Sequence, residues 1–326
     1  TAGITVTPTT IAIAEGGATS TFDVAAQANP VNPVSIPVTT DGECTVSLNP
    51  VVLAAGNVTP VTVTVTAVDD LDIEGTHSCV ITLGDPSSTD ANFDAITDVT
   101  DVTATVTDND MAGIVVTPTT IAIVEGGATA TFSVASSTNT VATVDVPVTT
   151  DGQCLLSSTA NPVPSTTLTV TLPVGSGTSI IVTVEAVDDN FDEGAHNCAI
   201  TTGDPNSADA NYNNLNAVDV ADVLATVTDN DTAGITVSAI SITEGAAGVA
   251  MDVVLLSEPT GDVTMTFTPD AQCTLSTNTL TFTGSTGATP WSTAQQVTVT
   301  AVDDAIQEGA HTCVISYTAA SSDPNF

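Results

Sequence analysis

Apolar and polar residues alternate along much of this chain with a period of two. The stretches Val61–Thr66, Ile181–Val184 and Val297–Thr300 place alternate residues on opposite faces, as in a half-buried β-strand. Turn-forming residues separate such runs, at 29–33, 55–57, 84–87 and 203–207. Helical periodicity is absent, and β-branched residues dominate the composition. We therefore predict an all-β chain with about seven short strands per 100 residues, which is typical of a β-sandwich.

Internal repeats divide the chain into three units. The string Thr-Ala-Gly-Ile-Thr-Val begins at residue 1 and again at residue 232, and the variant Met-Ala-Gly-Ile-Val-Val begins at residue 111. Each later copy directly follows Asp-Asn-Asp. We predict three tandem immunoglobulin-like antiparallel β-sandwiches, here called module 1 (1–110), module 2 (111–231) and module 3 (232–326).

Module 3 differs from the other two at its end. Modules 1 and 2 close with Ala-Thr-Val-Thr-Asp-Asn-Asp, whereas module 3 reaches Phe326 before any such strand. We expect module 3 to lack its last strand, which leaves a sheet edge exposed. Two explanations are open: the residues are a window from a longer array, or another chain donates the strand. We expect the window, with further copies of the same repeat as partners.

The charge of the chain excludes several kinds of partner. It contains 38 Asp and Glu residues and no Lys or Arg, so its formal net charge is −38. A chain without fixed cations does not neutralise phosphates, which argues against nucleic-acid binding and against anionic membrane surfaces. No apolar stretch is long enough to insert into a bilayer. Cations are the partners that this composition favours.

The acidic residues recur at matched positions. Glutamate precedes glycine after the first strand, at Glu15, Glu125 and Glu244, and the pattern Ala-Val-Asp-Asp-x-x-x-Glu-Gly-x-His-x-Cys also occurs three times. In a seven-stranded sandwich, the first, third and fifth connections and the end of the last strand lie at one end, where these acids would meet. Carboxylates gathered without Lys or Arg repel one another. Calcium, which takes six to eight oxygen ligands, relieves this repulsion better than magnesium; a solvated acidic surface is the alternative.

These motifs resemble the Calx-β domain, a calcium-binding β-sandwich found in sodium–calcium exchangers and in large bacterial surface and adhesion proteins. The resemblance covers the whole chain as three copies, the last incomplete. It implies calcium as the cofactor and, position by position, the following ligands: Glu15, Asp41, Asp69, Asp70, Glu74, Asp108 and Asp110 in module 1; Glu125, Asp151, Asp188, Asp189, Glu193, Asp229 and Asp231 in module 2; Glu244, Asp270, Asp303, Asp304 and Glu308 in module 3. Module 3 lacks the terminal Asp-Asn-Asp, so its site is incomplete.

Cysteine and histidine also recur once per module. The six cysteines fall two to a module and predict the disulfides Cys44–Cys79, Cys154–Cys198 and Cys273–Cys313, and hence an extracellular or cell-surface location. The typical Calx-β domain has no such pair. The histidines, His77, His196 and His311, stand two residues before the second cysteine. We expect them to pack or hydrogen-bond beside the disulfide; a zinc or copper site and a catalytic role are the alternatives.

Three classes of function remain. The first is a calcium-stiffened structural segment of a surface stalk, filament or adhesin. The second is a calcium-dependent module that binds a glycan or protein through the loops at 26–33, 162–167 and 284–292, the last with Trp291. An enzyme or an enzyme's accessory domain comes last, because no Gly-x-Ser-x-Gly, phosphate loop or His-Glu-x-x-His motif occurs. We therefore predict a protein that is not an enzyme.

Overall fold

Strands make up nearly all of the regular structure, as the alternating pattern predicts. The structure is a computed structural model, which describes residues 1–175 and 177–326. In each module two sheets pack face to face, and the inward-facing residues of both sheets form the core. The prediction of tandem immunoglobulin-like β-sandwiches is confirmed.

Module 1 has ten strands and one short helix. They are β1 (Ile4–Thr7), β2 (Thr10–Ala14), β3 (Ser20–Ala26), β4 (Val34–Ile36), β5 (Val38–Thr40), β6 (Cys44–Val46), β7 (Val51–Leu53), β8 (Val61–Ala67), β9 (His77–Leu83), α1 (Ala91–Asp94) and β10 (Val102–Thr107). One sheet has the order β1-β3-β8-β6 and the other β2-β10-β9-β5, while β4 pairs with β7. Pro8, which has no N–H to donate, separates β1 from β2, and the chain changes sheets there.

Module 2 repeats this arrangement with longer strands. They are β11 (Ile114–Thr117), β12 (Thr120–Val124), β13 (Ala130–Ser136), β14 (Val144–Thr150), β15 (Cys154–Ser158), β16 (Thr167–Leu172), β17 (Ile180–Ala186), β18 (His196–Thr202), β19 (Asn206–Ser207), α2 (Ala210–Asn213), a 3₁₀ turn (Ala217–Asp219) and β20 (Val223–Thr228). Its sheets have the orders β11-β13-β17-β15 and β12-β20-β18-β14-β16, and β19 also pairs with β14.

Module 3 has a complete first sheet and a smaller second sheet. Its strands are β21 (Ile235–Val237), β22 (Val249–Leu255), β23 (Val263–Pro269), β24 (Cys273–Leu275), β25 (Thr279–Phe282), β26 (Gln295–Ala301) and β27 (Ile315–Ala320). The sheet orders are β21-β22-β26-β24 and β25-β23-β27. In the described structure β27 therefore pairs on one side only, and most of its residues are exposed.

The sandwich prediction needs one refinement in modules 1 and 2. β2 runs parallel to β10, and β12 runs parallel to β20, whereas the other strand pairs are antiparallel. Within its sheet β2 bonds only to β10. In the part of the chain that the structure describes, the equivalent segment of module 3, residues 240–242, has no such neighbour and is not a strand, because without a ladder partner it forms no regular backbone hydrogen bonds.

The three modules have separate cores. Phe22 and Phe93 lie in the first, Phe132 and Tyr212 in the second, and Phe267 with Phe282 in the third, all nearly fully buried. The module boundaries at 110/111 and 231/232 themselves stay a prediction. Among the described residues, no helix is long and apolar enough to cross a membrane.

Candidate metal centre

The acidic end of module 1 is assembled by the segment that follows β10. Asp108 Oδ2 accepts hydrogen bonds from the backbone N–H groups of Glu74, at 2.8 Å, and Gly75, at 2.7 Å. Asn109 Nδ2 donates to the carbonyl of Glu15, at 3.0 Å, and to Asp69 Oδ1, at 3.2 Å. The β2–β3 turn, the β8–β9 loop and the end of β10 thus meet at one end of the sandwich.

Module 2 builds the same arrangement. Asp229 Oδ2 accepts from the N–H groups of Glu193 and Gly194, each at 2.7 Å. Asn230 Nδ2 donates to the carbonyl of Glu125 and to Asp188 Oδ1, each at 3.1 Å. The Asp-Asn-Asp motif therefore has a divided role, in which its central Asn ties the loops together and its first Asp caps the β17–β18 loop.

Backbone donors keep the first Asp of this motif ionised. Burial alone would raise the pKa of Asp108, but the N–H groups of Asp110, Gly75 and Glu74 together lower it below the usual range. The pKa of Asp229 is lowered in the same way. Modules 1 and 2 thus each present one stable carboxylate at the centre of the cluster.

The glutamate of the first turn lies in the opposite environment. Burial raises the pKa of Glu15, and the neighbouring Asp108 and Asp70 raise it further. Burial and then Asp229 and Asp189 raise the pKa of Glu125 to about 7. Ionising these glutamates is unfavourable in the absence of a cation because desolvation and the surrounding carboxylates both oppose the charge.

The spacing of the carboxylates fits a large divalent ion. Glu15, Asp108 and Asp110 each offer an oxygen, and these oxygens lie within 4.8 Å of one another. Oxygens on opposite sides of a calcium ion lie about 5 Å apart, since calcium–oxygen distances are about 2.3–2.6 Å. Among the described residues, Glu15 Oε2 and Asp110 Oδ2 are buried without a hydrogen-bond partner. The donor set therefore suits calcium, as it does other hard cations.

The remaining predicted ligands of the β8–β9 loop and its counterparts lie around this centre. Burial and then Asp108, Asp69 and Asp70 raise the pKa of Asp110, which places those carboxylates close to it. In module 2 the pKa of Asp231 is raised by burial and by Asp229, Asp188 and Asp189. The second Asp of each pair also accepts a hydrogen bond from the backbone N–H two residues further on: Asp70 from Asp72, Asp189 from Phe191 and Asp304 from Ile306.

Asp41 and its counterparts have a different environment. Asp41 Oδ2 accepts the N–H of Val80, at 2.8 Å, and its Oδ1 accepts that of Glu43, at 3.3 Å. Asp151 and Asp270 make the equivalent pairs of bonds. Each carboxylate thus links a turn, through hydrogen bonds to both of its oxygens, to the residue that follows the second cysteine. Their role as metal ligands stays a prediction.

Module 3 brings together only part of the set. Glu244 and Glu308 lie near His311, and Gly245 lies close to Asp303. The side chain of Glu244 is 32% exposed, against 2% for Glu15 and 1% for Glu125. The glutamate is open to solvent because the described part of module 3 has no strand equivalent to β10 beside it.

The three predicted disulfides are all formed. They are Cys44–Cys79, Cys154–Cys198 and Cys273–Cys313. In modules 1 and 2 the bridge joins the first sheet to the second, and in module 3 it joins the first sheet to the segment before β27. Asp270 lies beside the third bridge, but these sulfurs are already bonded to each other and are not free thiolate ligands. The bridges favour an oxidising extracellular or periplasmic environment.

Two aspartates that are not at matched positions of the repeats lie at the joints between modules. Asp72 Oδ1 accepts from Asn139 Nδ2 of module 2, at 2.6 Å, and Asn139 N–H donates to the carbonyl of Leu71, at 2.8 Å. Asp192 Oδ2 accepts the N–H of Ala233, at 2.8 Å. They occupy different positions relative to their Asp-Asp pairs, so a search for matched residues does not find them.

The sequence analysis also did not identify an aspartate that recurs once per module, although its motif is visible in the sequence. Asp90, Asp209 and Asp323 each begin Asp-x-Asn followed by an aromatic residue. Each accepts a backbone N–H from the loop that follows β3, β13 or β22: the donors are Val31, Val141 and Thr260 respectively. They tie two loops together at the end of the module opposite the acidic cluster.

Comparisons with known proteins give only distant similarity. No described protein family and no curated protein matches the sequence. The solved structure of CBD12 from CALX1.2 is 16% identical over 64% of this chain and 82% of that chain, with a TM-score of 0.30. The calcium-binding domain CBD12 of CALX1.1 is 15% identical over 69% and 99%, with a TM-score of 0.33. The periplasmic chaperone SfaE is 10% identical over 70% and 100%, with a TM-score of 0.27. These similarities are too low to assign a family.

Proposed function

We propose that this chain is an extracellular structural segment whose modules are stiffened by calcium, as part of a surface stalk, filament or adhesin. The observation that carries the proposal is that one loop contributes both to the acidic cluster and to the joint with the next module. The β8–β9 loop supplies Asp69 and Asp70 to the acidic cluster, and its next residues, Leu71 and Asp72, bond to Asn139 of module 2. An ion that orders this loop also orders the joint.

The second joint supports the same reading. Asn190, in the β17–β18 loop, accepts the N–H of Glu258 through its carbonyl at 2.6 Å, and the carbonyl of Asp192 accepts from Asn325 Nδ2 at 2.7 Å. The acidic end of each preceding module therefore faces the loops of the following one. Because several carboxylates crowd this end without any Lys or Arg, the metal-free loop is under repulsion that a divalent ion removes.

Partners in this proposal are further copies of the same repeat. The free side of β27 and the open segment at 240–242 flank the position that β10 occupies in module 1. A strand of the same alternating type, ending in Asp-Asn-Asp, fits that position because the two segments beside it are the counterparts of β2 and β9. The role is structural rather than catalytic, and it involves neither nucleic acid nor membrane insertion.

A calcium-dependent glycan- or protein-binding module is the alternative. Its candidate loops include Trp291, the type of side chain that stacks on sugars. Trp291 Nε1 donates to Ser285 Oγ at 3.2 Å, and that hydroxyl donates to Glu258. The indole is thus tied into its own loop, so the geometry gives this alternative less support than the joint gives the first.

The proposal predicts that calcium controls the bending of the molecule. We expect calcium to narrow the distribution of angles between modules and EGTA to broaden it, measured on single particles by electron microscopy and in solution by X-ray scattering. The variant Asp69→Asn with Asp70→Asn should bend at the first joint even in calcium. Asp98→Asn with Asp262→Asn, which removes the same charge from exposed positions, is the control. Equal distributions of the angles between modules in calcium and in EGTA would contradict the proposal.

A further inference from the structure

Each module places one histidine between glutamates of two different loops. His77 Nε2 lies 3.5 Å from Glu74 and 4.0 Å from Glu15. In module 2 the corresponding distances from His196 are 3.6 Å to Glu193 and 3.8 Å to Glu125. In module 3 they are 3.4 Å from His311 to Glu308 and 3.8 Å to Glu244. The same three-residue arrangement therefore occurs three times.

These distances differ from those of a hydrogen-bonded ion pair. A charge-assisted N–H···O bond is about 2.7–2.9 Å long. Ligand atoms at about 2.0–2.1 Å from a tetrahedral metal ion lie about 3.4 Å from one another. The separations of 3.4–4.0 Å are thus too long for direct bonds and close to the edges of a tetrahedron around a shared ion.

The other ring nitrogen is held as in a metal-bound histidine. His77 Nδ1 donates to the carbonyl of Gly75 at 3.0 Å, and His196 and His311 bond to Gly194 and Gly309 at the same distance. A carbonyl only accepts, so Nδ1 carries the proton and the ring is oriented with Nε2 toward the glutamates. An outer hydrogen bond of this kind fixes the tautomer and orientation of metal-ligating histidines.

Buried atoms of these groups also lack hydrogen-bond partners in the described structure, and in Glu15 and Glu125 the unpartnered Oε2 belongs to the same carboxylate as the Oε1 that faces the histidine. Among the described residues, Glu15 Oε2, Glu125 Oε2 and His77 Nε2 are buried and have no hydrogen-bond partner. The side chain of Glu15 is 2% exposed and that of Glu125 is 1% exposed. Buried carboxylate oxygens without a partner are costly, which makes a bound cation the natural partner for them.

We propose that the glutamate–glutamate–histidine groups are sites for a borderline divalent transition metal ion such as Zn²⁺, separate from the aspartate-rich calcium cluster. Calcium takes oxygen ligands, whereas imidazole suits zinc, copper and nickel. Glu15 and Glu125 lie between the two kinds of site, because the same side chain faces the histidine and the Asp-Asn-Asp motif. The inference goes beyond the calcium proposal and does not require it.

One residue makes the three sites unequal. In module 1 Glu43 Oε2 also lies 3.6 Å from His77 Nε2, and in this proposal it is the fourth ligand of that site. Glutamine stands at the matched positions 153 and 272, and the Gln153 amide donates to Glu193. Module 1 therefore has the closed ligand set of a structural site, and modules 2 and 3 have three protein ligands and an open position.

The test uses the full chain in saturating calcium, titrated with Zn²⁺ by calorimetry and with Co²⁺ as a visible-absorption probe. We expect one additional ion per module, with the tightest binding in module 1 and tetrahedral Co²⁺ bands. His77→Ala with His196→Ala and His311→Ala should abolish the bands while the number of bound calcium ions stays the same. Glu43→Gln should weaken the tightest site to the level of the other two, and Gln153→Glu should strengthen the site of module 2.

Three outcomes would overturn the inference. They are no Zn²⁺ uptake in calcium, uptake that the histidine variants leave unchanged, and displacement of calcium with no additional ion bound. In the first outcome the histidines are ion-pair partners of the glutamates. Calcium binding is counted separately in the same samples, so failure of the zinc site and failure of the calcium proposal are distinguishable.

Discussion

At the scale of single residues, burial and backbone hydrogen bonds shift the pKa values of neighbouring carboxylates in opposite directions. Asp108 and Asp229 accept three backbone N–H groups each and have lowered pKa values. Glu15 and Glu125 are buried beside them, and their pKa values are raised. In the metal-free molecule the buried glutamates therefore lose their protons at a higher pH than the aspartates beside them.

This difference predicts the pH dependence of the metal-free chain. Folded Glu125 keeps its proton up to a pKa of about 7, against 4.5 for a glutamate in an unfolded chain. The folded state therefore binds more protons between these values, and the stabilisation present at low pH is lost as the pH rises. In EGTA we expect the free energy of unfolding of module 2 to fall by about 1–3 kcal/mol between about pH 5 and pH 8.

Urea denaturation at several pH values measures this loss. Glu125→Gln should flatten the dependence, and Glu185→Gln, on a neighbouring strand, should leave it unchanged. Calcium should reverse the trend, since a bound ion requires the ionised carboxylate. The same slope in the Glu125→Gln variant as in the parent chain would contradict this assignment.

At the scale of elements, the two Glu-Gly turns depend on glycine for different reasons. Gly16 has a φ of +57°, and a Cβ there would lie 2.9 Å from Asn109 Nδ2. Gly75 has a φ of +65°, but a Cβ there would meet nothing within 4 Å. The first turn needs glycine both for its left-handed backbone and for its lack of a side chain, because Asn109, which follows β10, lies against it.

The comparison of these two glycines is a second prediction. Gly75→Ala should cost about 1–2 kcal/mol, the strain of a left-handed alanine. Gly16→Ala should cost more and should also weaken calcium binding, because it displaces Asn109 from its bonds to Glu15 and Asp69. Chemical denaturation and calcium titration measure the two effects. Equal losses of stability in the two variants would rule out the steric explanation.

At the scale of the whole molecule, loops rather than strands join the modules. The joint between modules 1 and 2 includes two hydrogen bonds of Asn139, one from its backbone and one from its side chain. The loop that contains Asn139 lies at the end of module 2 away from its own acidic cluster. Each acidic end therefore acts on the module that follows.

Removal of one side chain should loosen the first joint alone. Asn139→Ala abolishes the bond to Asp72 and keeps the backbone bond to Leu71, so we expect a wider spread of angles between modules 1 and 2 in calcium. The angle between modules 2 and 3 should stay as it is, which provides an internal control in the same images. Asn161→Ala, in an exposed turn of module 2, is the matched variant. An unchanged first joint would contradict this role of Asn139.

Much of the fold followed from local patterns. Period-two alternation predicted the strands, repeated motifs indicated three similar units, and one cysteine pair per unit predicted the disulfides. The convergence of the Glu15 turn, the Asp69 loop and the Asp108 segment was also predictable, because strand order alone places them at one end. Asp41 shows what the pattern leaves open: its recurrence predicts a metal ligand, its two oxygens accept backbone N–H groups in the structure, and its role as a ligand stays a prediction.

The sequence by itself determined where the strands, turns and acids lie, since alternation and repeats are properties of neighbouring residues. The tertiary structure alone decided which acids are buried, how far each histidine lies from its glutamates and which loop touches the next module. Glu15 and Glu244 have the same local sequence, Glu-Gly, yet one is buried and the other is not. Burial depends on a strand far along the chain, β10 (Val102–Thr107), which lies beside Glu15 and has no counterpart beside Glu244 in the described structure.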